Sequence, residues 1–270
     1  MIRLAVRVAR DQAELALAEL LVLAPGGVEE VDVEPGVVEY AIYGAEGEIP
    51  DLGEVDAAVG GALVEVRTSQ VADDWPDRWR EFHCPARVGG LLLRAPWHEG
   101  GDGSLEVVID PGQAFGTGAH PTTRLCLELL QELAAGERSG AVADLGCGSG
   151  VLAIAAAKLG WAPVDGYDHE AESVAATVDN AAANGVTVRA HRWDLRRDAI
   201  PAAPLWLANL LRPLLLELAA RTTAPPRTLV ASGLLAHEAD EVAAAFAPHG
   251  LREASRREAE GWAALLLHSG

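Results

Sequence analysis

The chain has 270 residues, of which 50% are hydrophobic and 23% charged, and its formal net charge at pH 7 is −19. This length is sufficient for two domains or one large one with a sizeable core. The negative charge repels nucleic acid and attracts basic partners, and no membrane span is expected because no run of about 18 apolar residues lacks a charge.

The cysteines exclude two further classes of protein. Cys84, Cys126 and Cys147 are odd in number, far apart and outside any CxxC pair, so neither a disulfide framework nor a zinc site is expected. A reducing cytoplasm is the compartment that fits this cysteine usage. At the N-terminus, Asp11 and Glu14 interrupt any signal-peptide hydrophobic region.

Residues 1–68 are predicted to form a ferredoxin-like α+β domain of order β-α-β-β-α-β. Its predicted elements are strand 2–8, helix 11–23, strands 28–34 and 37–43, helix 51–59 and strand 62–69. Residues 1–65 carry three arginines against fourteen acidic residues, a net charge of −11. This asymmetry is typical of a soluble acidic surface, and it also fits a docking surface for a basic protein.

A linker over 69–86, with a short helix near 75–82, is predicted to lead into a second domain, 87–270. Strands are predicted near 87–95 and 105–110. Helices and apolar strands then alternate from residue 121, which predicts a doubly wound seven-stranded α/β sheet. The helices are 121–134, 150–159, 170–184, 212–220 and 235–247, and the strands are 141–145, 162–168, 186–193, 204–209, 227–232, 251–257 and 262–268. The last two strands are so close in sequence that they must form a hairpin, so one of them is antiparallel to the sheet.

A glycine-rich loop, GCGSG, follows the first strand of this sheet. Gly146, Gly148 and Gly150 allow close approach of a ligand at the carboxyl end of the strand, where open α/β sheets bind ligands. The GxGxG spacing differs from the dinucleotide pattern GxGxxG, and Asp144 would repel a pyrophosphate. S-adenosylmethionine, which carries an amino group and a sulfonium but no phosphate, is favoured over NAD. A tight strand–helix turn would explain the glycines equally well if they stood alone.

Three later strand ends carry further candidates. Asp168 lies 22 residues after Gly146, where a carboxylate accepts hydrogen bonds from ribose hydroxyls or caps the next helix. Trp193 either stacks on adenine or belongs to the core. Asn209 either accepts a hydrogen bond from the substrate amine or caps the following helix. Leucines replace the (D/N)PP(Y/F) motif that clamps a planar nitrogen, so an aliphatic amine is expected.

Several segments together resemble the PrmA-type ribosomal protein L11 methyltransferase family. They include IDPGQAFGTGAHPTTRLCLELL (109–130), DLGCGSGVLAIAAAKLG (144–160), NLLRPLLLELA (209–219) and LVASGLLAHEADEV (229–242). The resemblance covers roughly residues 70–265. It implies a class I S-adenosylmethionine-dependent enzyme that methylates amino groups, on lysine side chains or the N-terminal amine, of large-subunit ribosomal protein L11. It also implies that the acidic N-terminal domain captures this basic substrate.

The resemblance also assigns site residues. It implies that Thr123, Gly146, Asp168 and Asn209 contact the cofactor, and that the loop over the methyl group is formed by Phe115, Gly116, Thr117 and Gly118. Together with the residue-level candidates, the predicted cofactor-binding set is Thr123, Asp144, Gly146, Gly148, Gly150, Asp168, Trp193, Asn209, Phe115 and Gly116. The family pattern often has an aliphatic residue before the aspartate, where this chain has Tyr167, and small or polar residues where it has Arg212 and Pro213.

The expected reaction is in-line attack of a neutral amine on the methyl carbon, in which the enzyme positions and desolvates the reactants. No metal is expected. Asn209 would orient the lone pair while water takes the proton. His120 would assist, or would only bond the amides of the following helix. The candidate catalytic residues are Asn209, Thr117 and His120.

The same residues bear on four alternative functions. The loop spacing and Asp144 argue against an NAD-dependent oxidoreductase, and the net charge argues against a nucleic-acid methyltransferase. A non-catalytic binding module would not need Gly146, Asp168 and Asn209 together. A related enzyme acting on another protein or on a small amine remains an open alternative.

Overall fold

The structure is a computed structural model. It describes the chain except residues 1, 14–15, 18–19, 21–22, 25–27, 35, 45–48, 51, 71–83, 102, 111–119 and 137–139. It divides into two compact units, Met1–Phe82 and His83–Gly270. The predicted helix 75–82 lies outside the described residues, and the predicted boundaries at 68, 69 and 86 stay a prediction.

The first unit contains a four-stranded antiparallel sheet. Its strands are β1 (Ile2–Ala9), β2 (Glu29–Glu34), β3 (Val37–Gly44) and β4 (Leu63–Gln70), in the order β2-β3-β1-β4. Residues 13, 16, 17, 20 and 23 are helical, and a second helix spans Leu52–Val59. Strand residues that alternate along β1, such as Leu4 and Val6, pack with Leu20 and Val55 in one apolar core. The element order agrees with the predicted ferredoxin-like fold.

The second unit is built on the predicted seven-stranded sheet. Its order is β10-β9-β8-β11-β12-β14-β13. The strands are β8 (Val142–Leu145), β9 (Val164–Asp168), β10 (Arg189–Arg192), β11 (Leu205–Asn209), β12 (Thr228–Leu235), β13 (Leu251–Ala259) and β14 (Trp262–Ser269). Strands β8 to β12 are parallel to one another, and β14 is antiparallel to both β12 and β13, as the short final connection predicts.

Helices cover both faces of this sheet. The helices are Pro121–Ala134, Val151–Lys158, Ala171–Ala183, Arg212–Arg221 and Ala239–Phe246. Leu129 and Ile154 belong to one apolar cluster, while Leu215 and Phe246 belong to a second cluster with other residues of the sheet. The central strands β8 and β11 therefore bury both of their faces, and the predicted doubly wound class is confirmed. None of the helices in the described ranges has the length and apolar character needed to cross a membrane.

Two predicted elements are wrong in detail. The single strand expected near 87–95 is instead two strands, β5 (Ala86–Val88) and β6 (Leu91–Arg94), which pair as an antiparallel hairpin. Gly89 turns the chain with φ +55°, a conformation that glycine adopts without strain. The hairpin joins β7 (Leu105–Val108) in a separate three-stranded sheet. The helix expected from residue 235 begins later, because β12 continues to Leu235 and a 3-10 turn, Ala236–Glu238, follows it.

Candidate functional site

A cavity of about 400 Å³ opens at the carboxyl ends of the central parallel strands. It lies where the strand order reverses, with β8 and β11 adjacent and the chain winding outward from both, and such positions bind ligands in open α/β sheets. The structure brings six of the predicted residues together in its lining: Thr123, Gly146, Gly148, Asp168, Trp193 and Asn209. They come from distant parts of the chain, and the sheet together with the helix Pro121–Ala134 brings them together.

The glycine-rich loop forms one wall of the cavity and is held by backbone hydrogen bonds. The Gly146 and Cys147 amides both donate to the Tyr167 carbonyl oxygen, at 2.7 and 3.1 Å. The Gly148 amide donates to Oδ2 of Asp168 at 2.9 Å. Because Gly146 and Gly148 have positive φ angles, of +79° and +52°, the tight path of this loop favours glycine at both positions.

Leu210 occupies a space that two glycines leave free. A Cβ atom on Gly146 would lie 2.5 Å from Cδ2 of Leu210, and one on Gly233 would lie 2.5 Å from the Leu210 carbonyl oxygen. The Leu210 amide donates to the Ser232 carbonyl oxygen at 3.0 Å. The residue that directly follows Asn209 is therefore enclosed by the cofactor loop on one side and by β12 on the other.

Asp168 is buried at the end of β9, and its carboxylate is oriented by two backbone amides. Oδ2 accepts from Gly148 and Oδ1 accepts from the Glu170 amide at 3.1 Å, one residue before the helix Ala171–Ala183. Asp168 thus makes the hydrogen bond to the start of the next helix and also lines the cavity. A carboxylate offers about four acceptor positions, so two protein donors leave capacity for ribose hydroxyls.

Asn209 lies at the end of β11 and also lines the cavity. Its side-chain nitrogen donates to the hydroxyl of Thr123 at 3.4 Å, and Thr123 is fully buried. Within the described residues the amide nitrogen is engaged in this way and the amide oxygen remains as an acceptor. The cap residue of the helix Arg212–Arg221 is Leu211, and no side chain caps it, so helix capping does not account for Asn209.

Comparison with known proteins decides the family. The model of the family described as Ribosomal protein L11 methyltransferase (PrmA) matches residues 26–269. The chain belongs to this family. A ribosomal protein L11 methyltransferase from Geobacter metallireducens is 40% identical over 206 residues, which cover 73% of this chain and 67% of the relative. One from Bordetella parapertussis is 38% identical over 265 residues, which cover 91% and 79%.

A solved structure agrees with this placement. The ribosomal protein L11 methylase from Lactobacillus delbrueckii subsp. bulgaricus superposes with a TM-score of 0.62 at 27% identity, covering 68% of this chain and 98% of that chain. The protein is thus a methyltransferase with S-adenosylmethionine as its methyl donor. The cavity fits this cofactor for two reasons. The glycine-rich loop presents backbone without side chains at Gly146 and Gly148, and three carboxylates, of Asp168, Glu170 and Asp194, line the cavity. Carboxylates favour the cationic sulfonium and amino groups.

Three predicted site residues lie outside the cavity lining of this methyltransferase. Asp144 is buried under the loop, where its Oδ2 accepts from the Ala153 amide at 3.0 Å, and burial raises the pKa of its carboxyl to about 7. Gly150 has φ +82° and begins the helix Val151–Lys158, with a Cβ position 3.0 Å from Thr177. Their predicted contacts with the cofactor stay predictions.

His120 is the third of these residues. It is the N-cap of the helix Pro121–Ala134, and its Nδ1 accepts from the Thr122 amide at 3.3 Å. Its ring packs edge-on against Trp262 with 5.0 Å between ring centres, and burial lowers the pKa of the imidazole. The structure therefore shows the capping contact that was the alternative to a catalytic role, while the catalytic role itself stays a prediction.

The predicted residues of the methyl-group loop, Phe115, Gly116, Thr117 and Gly118, lie outside the described residues, and their roles also stay predictions.

The lining also contains residues that were not predicted, among them Tyr167, Asp194, Leu195, Leu210 and Leu214. Asp194 and Leu210 directly follow residues that the sequence singled out, so extending each strand end by one residue would have found them. Trp193, in contrast, is largely buried in the core. Its indole nitrogen donates to the Ala199 carbonyl oxygen at 3.0 Å, and its ring packs edge-on against Tyr167.

Proposed function

We propose that this methyltransferase transfers methyl groups from S-adenosylmethionine to amino groups of ribosomal protein L11, on lysine side chains, the N-terminal amine or both. The curated relatives carry the name of that substrate. The observation that carries the choice of an amine is the Asn209 amide, which Thr123 holds at the cavity with its oxygen left as acceptor.

The proposed chemistry asks little of the protein beyond positioning. The bound cofactor supplies a methyl group made electrophilic by its sulfonium. Asn209 accepts a hydrogen bond from the attacking nitrogen and so aims the lone pair. A lysine amine with an ordinary pKa near 10.4 must first lose a proton, and we assign that proton to water. Asp168 and the glycine loop hold the ribose and methionine parts of the cofactor.

We also propose that the first unit recruits this basic substrate. Its net charge of −11 over residues 1–65 is one support. The ion pairs are another, because Arg3 and Arg7 are both engaged by Glu39, at 2.6 and 2.7 Å. Arg7 also pairs with Glu65, at 3.1 Å. These arginines therefore bind carboxylates of the sheet itself, and the remaining acidic residues set the surface potential. We do not expect direct nucleic-acid binding, and a cytoplasmic location fits the three free cysteines.

The test is incorporation of labelled methyl groups into purified ribosomal protein L11, followed by mass spectrometry of the modified positions. The Asp168→Ala variant serves as the cofactor-binding control and should give no label. A lysate that lacks ribosomal protein L11 should also remain unlabelled when it is the only source of methyl acceptors. Label on a different protein or on a small amine would support the related-enzyme alternative and contradict the proposal.

A further inference from the structure

Asn180 is a buried asparagine on the inner side of the helix Ala171–Ala183, outside the cavity lining. Its side chain joins two segments that are distant in sequence. Nδ2 donates to the carbonyl oxygen of Ser149 in the glycine loop at 2.9 Å, and Oδ1 accepts from the Asp110 amide, also at 2.9 Å. One carboxamide thus connects the cofactor loop with the chain that follows β7.

The geometry requires asparagine at this position. Reversal of the amide would place its oxygen against the Ser149 carbonyl and its nitrogen against the Asp110 amide, so both contacts would be repulsive. Aspartate would keep the acceptor for Asp110 and lose the donor for Ser149. A hydrophobic residue of similar shape would lose both hydrogen bonds inside the protein, where a lost partner is costly.

The loop end of this connection is firmly held. One turn earlier on the same helix, the buried hydroxyl of Thr177 donates to the Gly148 carbonyl oxygen at 3.0 Å. Two consecutive carbonyls of the cofactor loop, at Gly148 and Ser149, are therefore bound by one helix face. Gly148 also donates its amide to Asp168, so the helix fixes the same loop that orients the proposed ribose-binding carboxylate.

At the other end of this connection, successive backbone amides of residues 108–110 face alternate sides. The Ile109 amide donates to the Arg94 carbonyl oxygen of β6 at 2.9 Å, while the amides of Val108 and Asp110 face the helix. Asn184 accepts from Val108 at 2.9 Å, in the way that Asn180 accepts from Asp110. The two asparagines differ in one respect, because Asn184 returns its nitrogen to Val108 and Asn180, whereas Asn180 extends to the cofactor loop.

We propose that Asn180 is a positioning residue for methyl transfer. Through its hydrogen bonds to Ser149 and Asp110, it couples binding of S-adenosylmethionine at the glycine-rich loop to the backbone at Asp110. Cofactor binding stabilises the loop, and the carboxamide passes that restraint to Asp110. Asn184 anchors the same strand end without any bond to the loop, which makes it a matched control from the same helix.

The first measurement uses the wild-type protein and does not depend on the identity of the methylated substrate. Hydrogen exchange of the Asp110 amide, followed by NMR, should slow about tenfold or more when S-adenosylmethionine saturates the enzyme, since exchange reports local opening of that hydrogen bond. The Asn184→Ala variant should keep this response, and the Asn180→Ala variant should lose it. An Asp110 amide that exchanges equally fast with and without cofactor in the wild-type protein would overturn the coupling.

The second measurement separates affinity from turnover. Asn180→Ala should lower turnover at saturating cofactor by about tenfold or more, because both buried partners lose their bond, whereas Asn184→Ala should stay within about twofold of wild type. Asn180→Asp should weaken cofactor binding while the Asp110 amide stays protected. Equal losses in Asn180→Ala and Asn184→Ala would mean that the asparagines only stabilise the fold. A wild-type protein that binds cofactor and shows the exchange response, yet leaves ribosomal protein L11 unlabelled, would contradict only the proposed substrate.

Discussion

The two sides of the cavity are held in different ways. On the cofactor side, backbone hydrogen bonds of 2.7 to 3.1 Å fix the glycine loop to β9, and Asp168 is clamped by two amides. On the proposed substrate side, Asn209 makes one side-chain hydrogen bond within the described residues, of 3.4 Å to Thr123, and the nearby Leu211 is 63% exposed. The cofactor side is therefore held by more and shorter hydrogen bonds than the proposed substrate side, which leaves an apolar side chain exposed.

The largest effect is expected on the cofactor side, from Gly146→Val. A branched side chain at φ +79° is strained, and its Cβ would lie within 2.5 Å of Leu210. We expect cofactor affinity to fall about a hundredfold or more, equivalent to about 2.8 kcal/mol of binding free energy. Isothermal titration calorimetry measures the loss, with native circular dichroism as the control for folding.

The reason for this expectation changes with the structure. From the sequence, the side chain at position 146 would enter space that the cofactor needs. In the structure, the side chain of Leu210 fills the space that a side chain at position 146 would enter. Near-normal affinity in the variant would show that Leu210 can move aside and that the loop tolerates the strain.

Asp168→Ala should weaken cofactor binding by more than tenfold. The variant removes a charged acceptor for ribose and also releases the Gly148 amide, and hydrogen bonds to charged groups contribute about 1.5–3 kcal/mol each. Asp168→Asn is the matched variant, because it keeps an oxygen while removing the charge. Calorimetry that finds wild-type affinity in Asp168→Ala would remove this carboxylate from the site.

Asn209→Ala tests the less rigid side and should reduce turnover by about tenfold while affecting cofactor affinity less. Thr123→Val should give a smaller reduction of the same kind, since it removes the hydroxyl that accepts from Asn209. Thr123→Ser restores that hydroxyl and should recover turnover. Single-turnover rates at saturating cofactor, beside a separate binding titration, distinguish the two quantities. Unchanged turnover in Asn209→Ala would exclude this residue from positioning the amine.

Folding stability, rather than binding or turnover, should report the buried Asp144 carboxyl beneath the glycine-rich loop. Asp144 keeps its proton up to a pH of about 7 when folded but only up to about 3.8 when unfolded. Between those values unfolding releases a proton, so the free energy of unfolding should fall as pH rises, by at most about 1.4 kcal/mol per pH unit. Asp144→Asn should lack this slope. Denaturant titrations at several pH values measure it, and parallel curves for the two proteins would refute the raised pKa.

The sequence was sufficient for features that repeat along the chain or sit at strand ends. The alternation of helices and apolar strands predicted the doubly wound sheet, and the carboxyl end of each strand located Gly146, Asp168 and Asn209. The apolar run at 87–95 concealed a hairpin, because the pair Gly89–Gly90 was the only local sign of a turn. Asn180 could not be assigned from the sequence, since its partners Asp110 and Ser149 meet only after the helix has packed on both segments.

The enclosure of Leu210 has a consequence for changing the substrate of this enzyme. Grafting the asparagine-proline-proline-tyrosine motif of planar-nitrogen methyltransferases would place proline at position 210. Proline has no amide hydrogen, so the bond to the Ser232 carbonyl oxygen would be lost. The new ring would also have to fit beside Gly146, whose missing Cβ leaves room for the Leu210 side chain, while the backbone of residue 210 lies too close to Gly233 for any side chain there. Positions 146 and 210 therefore form one unit for protein engineering, and a library that varies the strand-end motif should vary both together and keep Gly233.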